Sequence, residues 1–145
     1  MSDAELINVS EFLAGLEAKL DNTTAFMEAV GVIVAASNRD NFANERDPNP
    51  PYSQWEGLKE RTIRERAEQG LLPTPILFRK GTLRDSITSV LNSARSVSVG
   101  SPIPYSHALH AGAADLNLVA RPFLGIGAKD ELTIWAVLAQ QLGLD

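Results

Sequence analysis

Apolar side chains recur at helical spacing through the first third of the chain. They predict an amphipathic helix over residues 8–20. Its stripe consists of Phe12, Leu13, Leu16 and Leu20. A break at residues 21–23 precedes a second apolar stripe, which predicts a helix over residues 24–42. The small residues of this second helix would let another helix or another subunit approach closely.

Three prolines between residues 47 and 54 indicate a rigid connector, because proline does not continue a helix or a sheet interior. Ser53 stands three residues before Glu56, which is the spacing of a capping box. A third helix is therefore expected to begin there and to end at Gly70. Its inward side chains would be Trp55, Leu58, Ile63 and Ala67.

The periodicity changes after residue 75, where patterns typical of strands appear. Residues 86–91 and 96–100 predict a β-hairpin with one solvent-facing side, since valines alternate with serines in the second run. Residues 76–78 and 116–120 are also strand-like. An alternative stays open near residue 83, because apolar residues there fit helical spacing as well. They are Leu83, Ile87, Val90 and Leu91.

The C-terminal part predicts one more helix, from Ala128 to Gly143. Acidic residues stand in its first turn, where the helix dipole favours them. Its inner face is expected to consist of Leu132, Trp135, Ala136, Ala139 and Leu142. N-terminal helices, a small antiparallel β-sheet with a β-hairpin and a C-terminal helix make an α+β fold.

A chain of 145 residues has the length of one domain, and we expect a single domain over residues 1–145. Its expected parts are a helical N-terminal arm or hairpin (1–46), a proline-rich connector (47–54) and a helix with the sheet and the C-terminal helix (55–145). The chain has no cysteine, which excludes disulfides and thiolate zinc sites and fits a reducing compartment. We find no secretory signal and no apolar run near the ~20 residues that span a bilayer, so we expect a soluble protein in the cytoplasm where it is made.

The net charge of −5 argues against a duplex-binding protein, because phosphate contacts require a dense basic face. Basic residues are enriched between residues 59 and 84, but acidic residues interrupt them. We interpret this stretch as a solvated helix face with i,i+4 pairs such as Glu60–Arg64. Contact with nucleic acid or with an acidic partner stays open as the alternative.

Both histidines of the chain, His107 and His110, lie in the stretch SPIPYSHALHAG. A zinc site needs three or four ligands, and Asp115 is the one acid nearby. The HExxH motif of zinc hydrolases does not occur in the chain, nor do the GxSxG, Walker A or GxGxxG motifs. An enzyme is therefore the less favoured interpretation. Its form would be a small metal-dependent hydrolase that uses both histidines.

Six short motifs follow one another between residues 42 and 125. They are F-x-x-E-x-D-P (from Phe42), W-x-x-L-x-x-x-T (from Trp55), G-x-L-x-x-S-I (from Gly81), V-x-V-G-S (from Val97), Y-x-x-x-x-H-x-G (from Tyr105) and A-R-P-F-L-G (from Ala120). No single motif is specific to one protein family, so the resemblance depends on the order of all six. In this order the motifs resemble the virion morphogenesis or tail completion proteins of Mu-like phages.

The resemblance implies a non-enzymatic structural protein of the virion, located in the neck that joins head to tail and needing no cofactor or metal. The implied partners are further copies of the chain, in a ring for which six-fold symmetry is expected. Other implied partners are neck and tail proteins such as the tail terminator, the tail tube and the head connector. No membrane and no sequence-specific DNA binding is implied, while contact with DNA in the channel stays open. A ring needs heterologous interfaces, for which helix 24–42 and the connectors are candidates.

The resemblance also implies a set of interface or structural residues, none of them catalytic. They are Trp55, Leu83, Ser86, Gly100, Tyr105, His110, Gly112, Arg121, Pro122 and Phe123. On this interpretation the histidines are fold and contact residues, and Gly112 serves a turn that needs positive φ. Arg121 either pairs with a carboxylate at the edge of the core or reaches a neighbouring subunit. Trp55 and Trp135 are expected in the core, with an interface position as the alternative.

Overall fold

The computed structural model describes residues 3–21, 23–70, 76–77 and 81–144, and within them the chain has the predicted α+β class. The helices are α1 (Asp3–Asp21), α2 (Thr24–Asn44), α3 (Glu60–Glu68), α4 (Thr82–Ser86), α5 (Ser106–Ala111) and α6 (Ala128–Leu142). Strands β1 (Thr88–Ser93) and β2 (Ser96–Gly100) form an antiparallel hairpin between α4 and α5. A 3₁₀ turn covers Ala114–Leu116. None of the described helices combines the length and the apolarity needed to cross a bilayer.

Helix α2 lies at the centre of the packing, with the β-hairpin, α6 and α4 against it. Gly31 permits the close approach of the hairpin. A Cβ atom at this position would lie 2.8 Å from Cβ of Ser89 and 2.9 Å from Cγ2 of Val97. Atoms this close must move apart, so a larger side chain would push the hairpin off α2. The hairpin thus takes the place beside Gly31, while a helix, α6, also lies against α2, as the small residues of α2 predict.

The core lies where the C-terminal half of α2, the start of the hairpin and the segment before α6 converge. Its buried residues are Ala35, Phe42, Trp55, Leu83, Ile87 and Phe123. The ring of Phe42 meets Trp55 edge-on at a centroid distance of 6.1 Å and lies 5.2 Å from the ring of Phe123. Aromatic contacts of this kind add about 0.5–1.5 kcal/mol each beyond the burial of their area. Trp55 therefore occupies the core position that the sequence predicts.

Helix α3 begins at Glu60, so the predicted start at Ser53 is wrong. The reason is that the backbone before α3 pairs with the chain that follows α2. The N–H of Trp55 donates to the carbonyl of Glu45 at 2.8 Å, and the N–H of Asp47 donates to the carbonyl of Ser53 at 2.9 Å. These bonds hold residues 53–55 extended, and the capping box cannot form.

The inward face of α3 also differs from the prediction. Ile63 and Ala67 are exposed, whereas Arg66 is buried and donates through Nη2 to the carbonyl of Ile76 at 2.6 Å. The other basic residues of α3 are exposed to solvent, as predicted. An i,i+4 ion pair forms there between Arg61 and Glu65, with a distance of 3.2 Å. A buried guanidinium needs a partner, and a main-chain carbonyl satisfies it here.

The hairpin is confirmed, with β1 shifted two residues later than predicted and β2 in its predicted place. Near residue 83 a helix is followed by a strand, so each open interpretation holds for part of the stretch. Helix α4 includes Leu83, and strand β1 includes Val90. Residues 76–77 form a turn rather than a strand, and Phe78 lies outside the described residues.

The strand predicted at 116–120 is wrong, because this part of the chain closes on itself. Ala113 and Leu118 exchange both backbone hydrogen bonds, at 3.1 Å and 2.9 Å. The loop between them contains the 3₁₀ turn and Asn117 with a φ of 54°. An asparagine tolerates this left-handed conformation, so the segment turns back where an extended strand would continue.

Helix α6 has its predicted bounds, and Gly143 follows it with a φ of 72°. Its predicted inner face is wrong, since Leu132 is 72% and Trp135 60% exposed. The buried carboxylate of Asp130 explains the difference: it accepts hydrogen bonds from Oγ of Ser37 at 2.8 Å and from the N–H of Gly127 at 3.0 Å. Two residues correspond to about 200° around a helix, so turning Asp130 toward α2 turns Leu132 away from it.

Candidate functional site

Residues 121–127 connect the 3₁₀-turn region to α6 without regular secondary structure, yet Phe123 within them is fully buried, at 0% exposure. A buried irregular segment needs partners for its N–H and C=O groups, since each unpaired group costs about 1–3 kcal/mol. Side chains from α2, from α5 and from the α2–α3 connection (residues 45–59) supply these partners. We call residues 121–127 the clasped segment.

Two asparagines of α2 bind the clasped segment. Oδ1 of Asn38, which is 1% exposed, accepts hydrogen bonds from the N–H of Gly125 at 3.0 Å and from Nδ2 of Asn41 at 3.2 Å. Nδ2 of Asn41 also donates to the carbonyl of Phe123 at 2.9 Å. Neither asparagine was predicted from the sequence as a site residue. The signal for them is the presence of amides at helical spacing with the buried Phe42, on an otherwise apolar face.

The α2–α3 connection contributes Asn49 and Trp55. Nδ2 of Asn49 donates to the carbonyl of Leu124 at 3.1 Å, and Nε1 of Trp55 donates to the carbonyl of Pro122 at 2.7 Å. Gly125 allows Asn49 to come this close, because a Cβ atom at residue 125 would lie 2.5 Å from Oδ1 of Asn49. Two carbonyls of the clasped segment, one on each side of Phe123, are thereby satisfied by side chains about 70 residues away in sequence.

Arg121 begins the clasped segment and binds the same connection. Its Nε donates to the carbonyl of Glu56 at 2.9 Å and its Nη2 to the carbonyl of Gly57 at 3.0 Å. Among the described residues the predicted pairing with a carboxylate does not form: the planar fork of the guanidinium fits two successive main-chain oxygens instead. Contact of Arg121 with a neighbouring subunit stays a prediction.

His110 holds the clasped segment from α5. Its Nδ1 accepts hydrogen bonds from the N–H groups of Phe123 at 3.2 Å and Leu124 at 3.4 Å. The imidazole also packs edge-on against the ring of Phe123, with centroids 5.2 Å apart. His107, one turn earlier on the same short helix, is exposed. The pair of histidines thus divides into one side chain that binds the backbone and one that faces solvent.

Gly112 ends α5 with a φ of 78°, the positive value expected for a turn. A Cβ atom at this position would lie 2.8 Å from the backbone nitrogen of Ala120. Both the conformation and the space therefore require glycine. The close approach places α5 beside the start of the clasped segment, where the N–H of Arg121 donates to the carbonyl of Leu109 at 3.1 Å.

The remaining predicted residues lie around the open end of the hairpin, where Thr88 pairs with Gly100. Leu83 is buried, and Oγ of Ser86 donates to its carbonyl at 2.6 Å while sharing a 2.6 Å hydrogen bond with Oγ of Ser101. Gly100 is the last residue of β2. Tyr105 is half exposed and lines a cavity of about 560 Å³ together with Leu83. Whether any of these residues contacts another subunit stays a prediction.

A family model described as the phage virion morphogenesis family matches residues 4–143, nearly the whole chain. The chain belongs to this family. The resemblance carried by the six motifs is thereby confirmed, and membership supports a structural or assembly role in a phage particle. No curated protein and no solved structure matches the chain.

In this member of the phage virion morphogenesis family, the geometry around the histidines favours a structural role. Two N–H groups point at Nδ1 of His110, so the lone pair that a metal would use there is already engaged. Throughout the part of the chain that the structure describes, no three His, Cys, Asp or Glu side chains lie close enough to hold a metal ion. A structural family is consistent with a chain that is not an enzyme.

Burial lowers the pKa of His110 below its ordinary value of about 6.5. The carboxylate of Asp47 opposes this lowering of the pKa, and the neighbouring His107 adds to it. A proton on Nδ1 would also face two N–H donors and remove the acceptor that they need. The neutral imidazole is therefore the form that fits the clasped segment.

Exposed apolar side chains of this family member form two helical stripes, of which the second was predicted from the sequence to face inward. The first stripe, on α1, consists of Val9, Phe12, Leu13 and Leu20, each about half exposed. The second stripe, on α6, contains Leu132 and Trp135. Trp135 is thus outside the core, whereas Trp55 is inside it. The signal that reveals the second stripe is the position of Asp130, which fixes the rotation of α6.

Proposed function

We propose that the chain is a structural subunit of the head–tail neck of a tailed phage. In this role it completes the tail and joins it to the head as a ring of identical copies, for which we expect six-fold symmetry. The observation that carries the proposal is the family match over residues 4–143. The geometry supports it, because the motif residues around the clasped segment stabilise the fold and do not form a reaction site.

Assembly into a ring is supported by the apolar surface of the helices. Trp135 and Leu132 stand out because aromatic and large aliphatic residues on a rigid helix are typical anchors of protein interfaces. A ring would cover such side chains in every copy.

The proposed partners are other neck and tail proteins, namely the tail terminator, the tail tube and the head connector, met in the host cytoplasm during assembly. DNA would pass through the channel of such a ring. The net charge of −5 disfavours tight contact with its phosphates, since binding to nucleic acid is driven by basic side chains. We therefore propose passage of DNA without sequence-specific binding.

The experiment uses tails from a phage that encodes the chain, produced with its gene deleted. Adding the purified chain should restore joining of heads to tails, counted as infectious particles, and native mass measurement on the tails should find several copies per neck. Heads that join tails equally well without the chain would contradict the proposal. A single copy per tail would contradict the ring.

Two histidine variants distinguish this function from a metal-dependent hydrolase. His107→Ala removes an exposed side chain, and His110→Asn keeps an acceptor near the position of Nδ1 so that the clasped segment stays bound. Both variants should restore joining as well as the unaltered chain does. A hydrolase that uses both imidazoles would lose turnover in either variant, and joining would fail with it.

A further inference from the structure

Helix α1 is held against the rest of the fold by very little buried surface. It lies against α6, and every α1 side chain that the structure describes is exposed apart from Leu16, which is half-buried. Helix α2, of similar length, has seven buried residues. Because most helices in proteins are stabilised by burying an apolar face, α1 is held much more weakly than α2.

Two side chains attach α1 to α6. Nζ of Lys19 donates to the carbonyl of Leu142 at 3.1 Å, at the end of α6 where the helix dipole is negative. This hydrogen bond lies at an exposed position, where water and salt weaken it. Leu16 stands three residues before Lys19 on the same face of α1, which accounts for its partial burial. One half-buried leucine and one exposed hydrogen bond thus hold a helix of 19 residues.

The start of α2 is anchored independently of α1. Thr23 stands between the two helices, and its Oγ1 donates to the carbonyl of Ala94 in the turn of the hairpin. Phe26 is buried in the first turn of α2. Removing α1 from α6 therefore leaves α2 and the hairpin bound to each other. The boundary between a part that opens and a part that stays lies at Thr23.

Helix α1 also has a weak point in its own interior. A Cβ atom at Gly15 would meet nothing within 4 Å, so this glycine serves no close contact within the described structure. It lowers the stability of the helix, because glycine loses more conformational freedom on folding than any other residue. Intrinsic propensity rarely maintains a short helix in water, so a helix released from α6 would unfold.

We propose that α1 is a strap that leaves α6 and unfolds as one unit, while α2, the hairpin and α6 keep their structure. The free energy of this local opening is far below that of global unfolding, as expected for an element with few buried contacts. Opening bares the surface of α6 beneath Leu16 and frees the apolar side chains of α1 at the same time. The chain therefore has two states that offer different surfaces, and this holds whether or not it acts in a phage neck.

Hydrogen exchange of the full-length chain in dilute solution near pH 7 tests the strap. The protection factor is the ratio of the intrinsic exchange rate of an amide to its measured rate. We expect protection factors of roughly 10–100 along α1 and of roughly 1,000 or more at the buried turns of α2. Low concentrations of urea should hardly change the values in α1, because its opening exposes little surface, whereas the values in α2 should fall steeply.

Three variants test which contacts hold the strap. Leu16→Ala removes the apolar contact with α6 and should lower the protection of all α1 amides about three- to tenfold without changing α2. The matched control is Leu13→Ala, the same substitution at a side chain that is 56% exposed, where protection should stay within about twofold. Gly15→Ala adds a helix former in open space and should raise the protection of α1 about two- to fivefold.

Four results would overturn the proposal. Protection in α1 as high as in α2 would show that α1 belongs to the cooperative core, and an α1 without protection would show that no helix is docked on α6. Equal effects of Leu13→Ala and Leu16→Ala would show that the face containing Leu16 does not hold the strap. Lower protection of α2 in Leu16→Ala would show that the two helices open together.

Discussion

Replacing His110 with alanine removes the acceptor that binds the backbone of the clasped segment. The N–H of Phe123 is bound at 3.2 Å and that of Leu124 at a weaker 3.4 Å, beside a side chain that is fully buried. Leaving one buried N–H without a partner costs about 1–3 kcal/mol, and losing the edge-on contact with Phe123 costs about 0.5–1.5 kcal/mol more. We expect His110→Ala to lower the free energy of unfolding by about 2–4 kcal/mol.

Asparagine at the same position separates these two contributions. Its Oδ1 stands close to where Nδ1 of the imidazole stood and accepts from the same N–H groups, while the ring contact is lost. His110→Asn should therefore cost only about 1 kcal/mol. The control is His107→Ala at the exposed histidine, for which a change within about 0.5 kcal/mol is expected.

The assay is urea unfolding followed by the fluorescence of Trp55, which lies in the core and donates to the carbonyl of Pro122. All variants carry Trp135→Phe, so that the exposed indole does not contribute to the signal. The slope of the free energy against urea must stay constant for the comparison to hold. An alanine variant as stable as the His107→Ala control would refute the reasoning, and so would an asparagine variant as unstable as the alanine one.

Three further predictions concern the same fold. Because the pKa of His110 lies below its unfolded value, the unfolded chain takes up the proton first, and the free energy of unfolding should fall as the pH drops below about 6.5. In His110→Asn, thermal unfolding between pH 7.5 and 5.5 should lack this part of the decrease. Asn38→Ala should cost about 1–3 kcal/mol in urea unfolding, because it leaves the N–H of Gly125 unbound, whereas Asn44→Ala at an exposed site should be near neutral. Gly31→Val should displace the hairpin and cost about 1–3 kcal/mol or more, seen as loss of amide protection in β1 and β2.

Elements with strong local signals could be predicted from the sequence. The long apolar stripe defines α2, the alternation of valine and serine defines β2, and the glycine at residue 143 defines the end of α6. The start of α3 could not be predicted, because the carbonyl of Glu45 binds the N–H of Trp55 and competes with the local capping signal. Such long-range partners are invisible to periodicity.

The candidate site was predictable in part for the same reason. Phe123 and Gly112 both belong to the ordered motifs. In the structure Phe123 is fully buried, and Gly112 makes the close turn at the end of α5. The buried face of α6 could not be predicted, because two apolar faces exist and one carboxylate, Asp130, selects between them. Asn38 was missed because a buried amide is recognised only by its partners in space.

The hydrogen bonds of Arg121 end on peptide oxygens, which do not take up a proton in mild acid. The acceptor for the N–H groups of Phe123 and Leu124, two and three residues farther along the segment, is the imidazole of His110, which takes up a proton in acid. Acidification should therefore break the hydrogen bonds of Phe123 and Leu124 to His110, while Arg121 keeps its hydrogen bonds to Glu56 and Gly57. Hydrogen exchange, corrected for its intrinsic rate, would accelerate at the amides of Phe123 and Leu124 and not at that of Arg121.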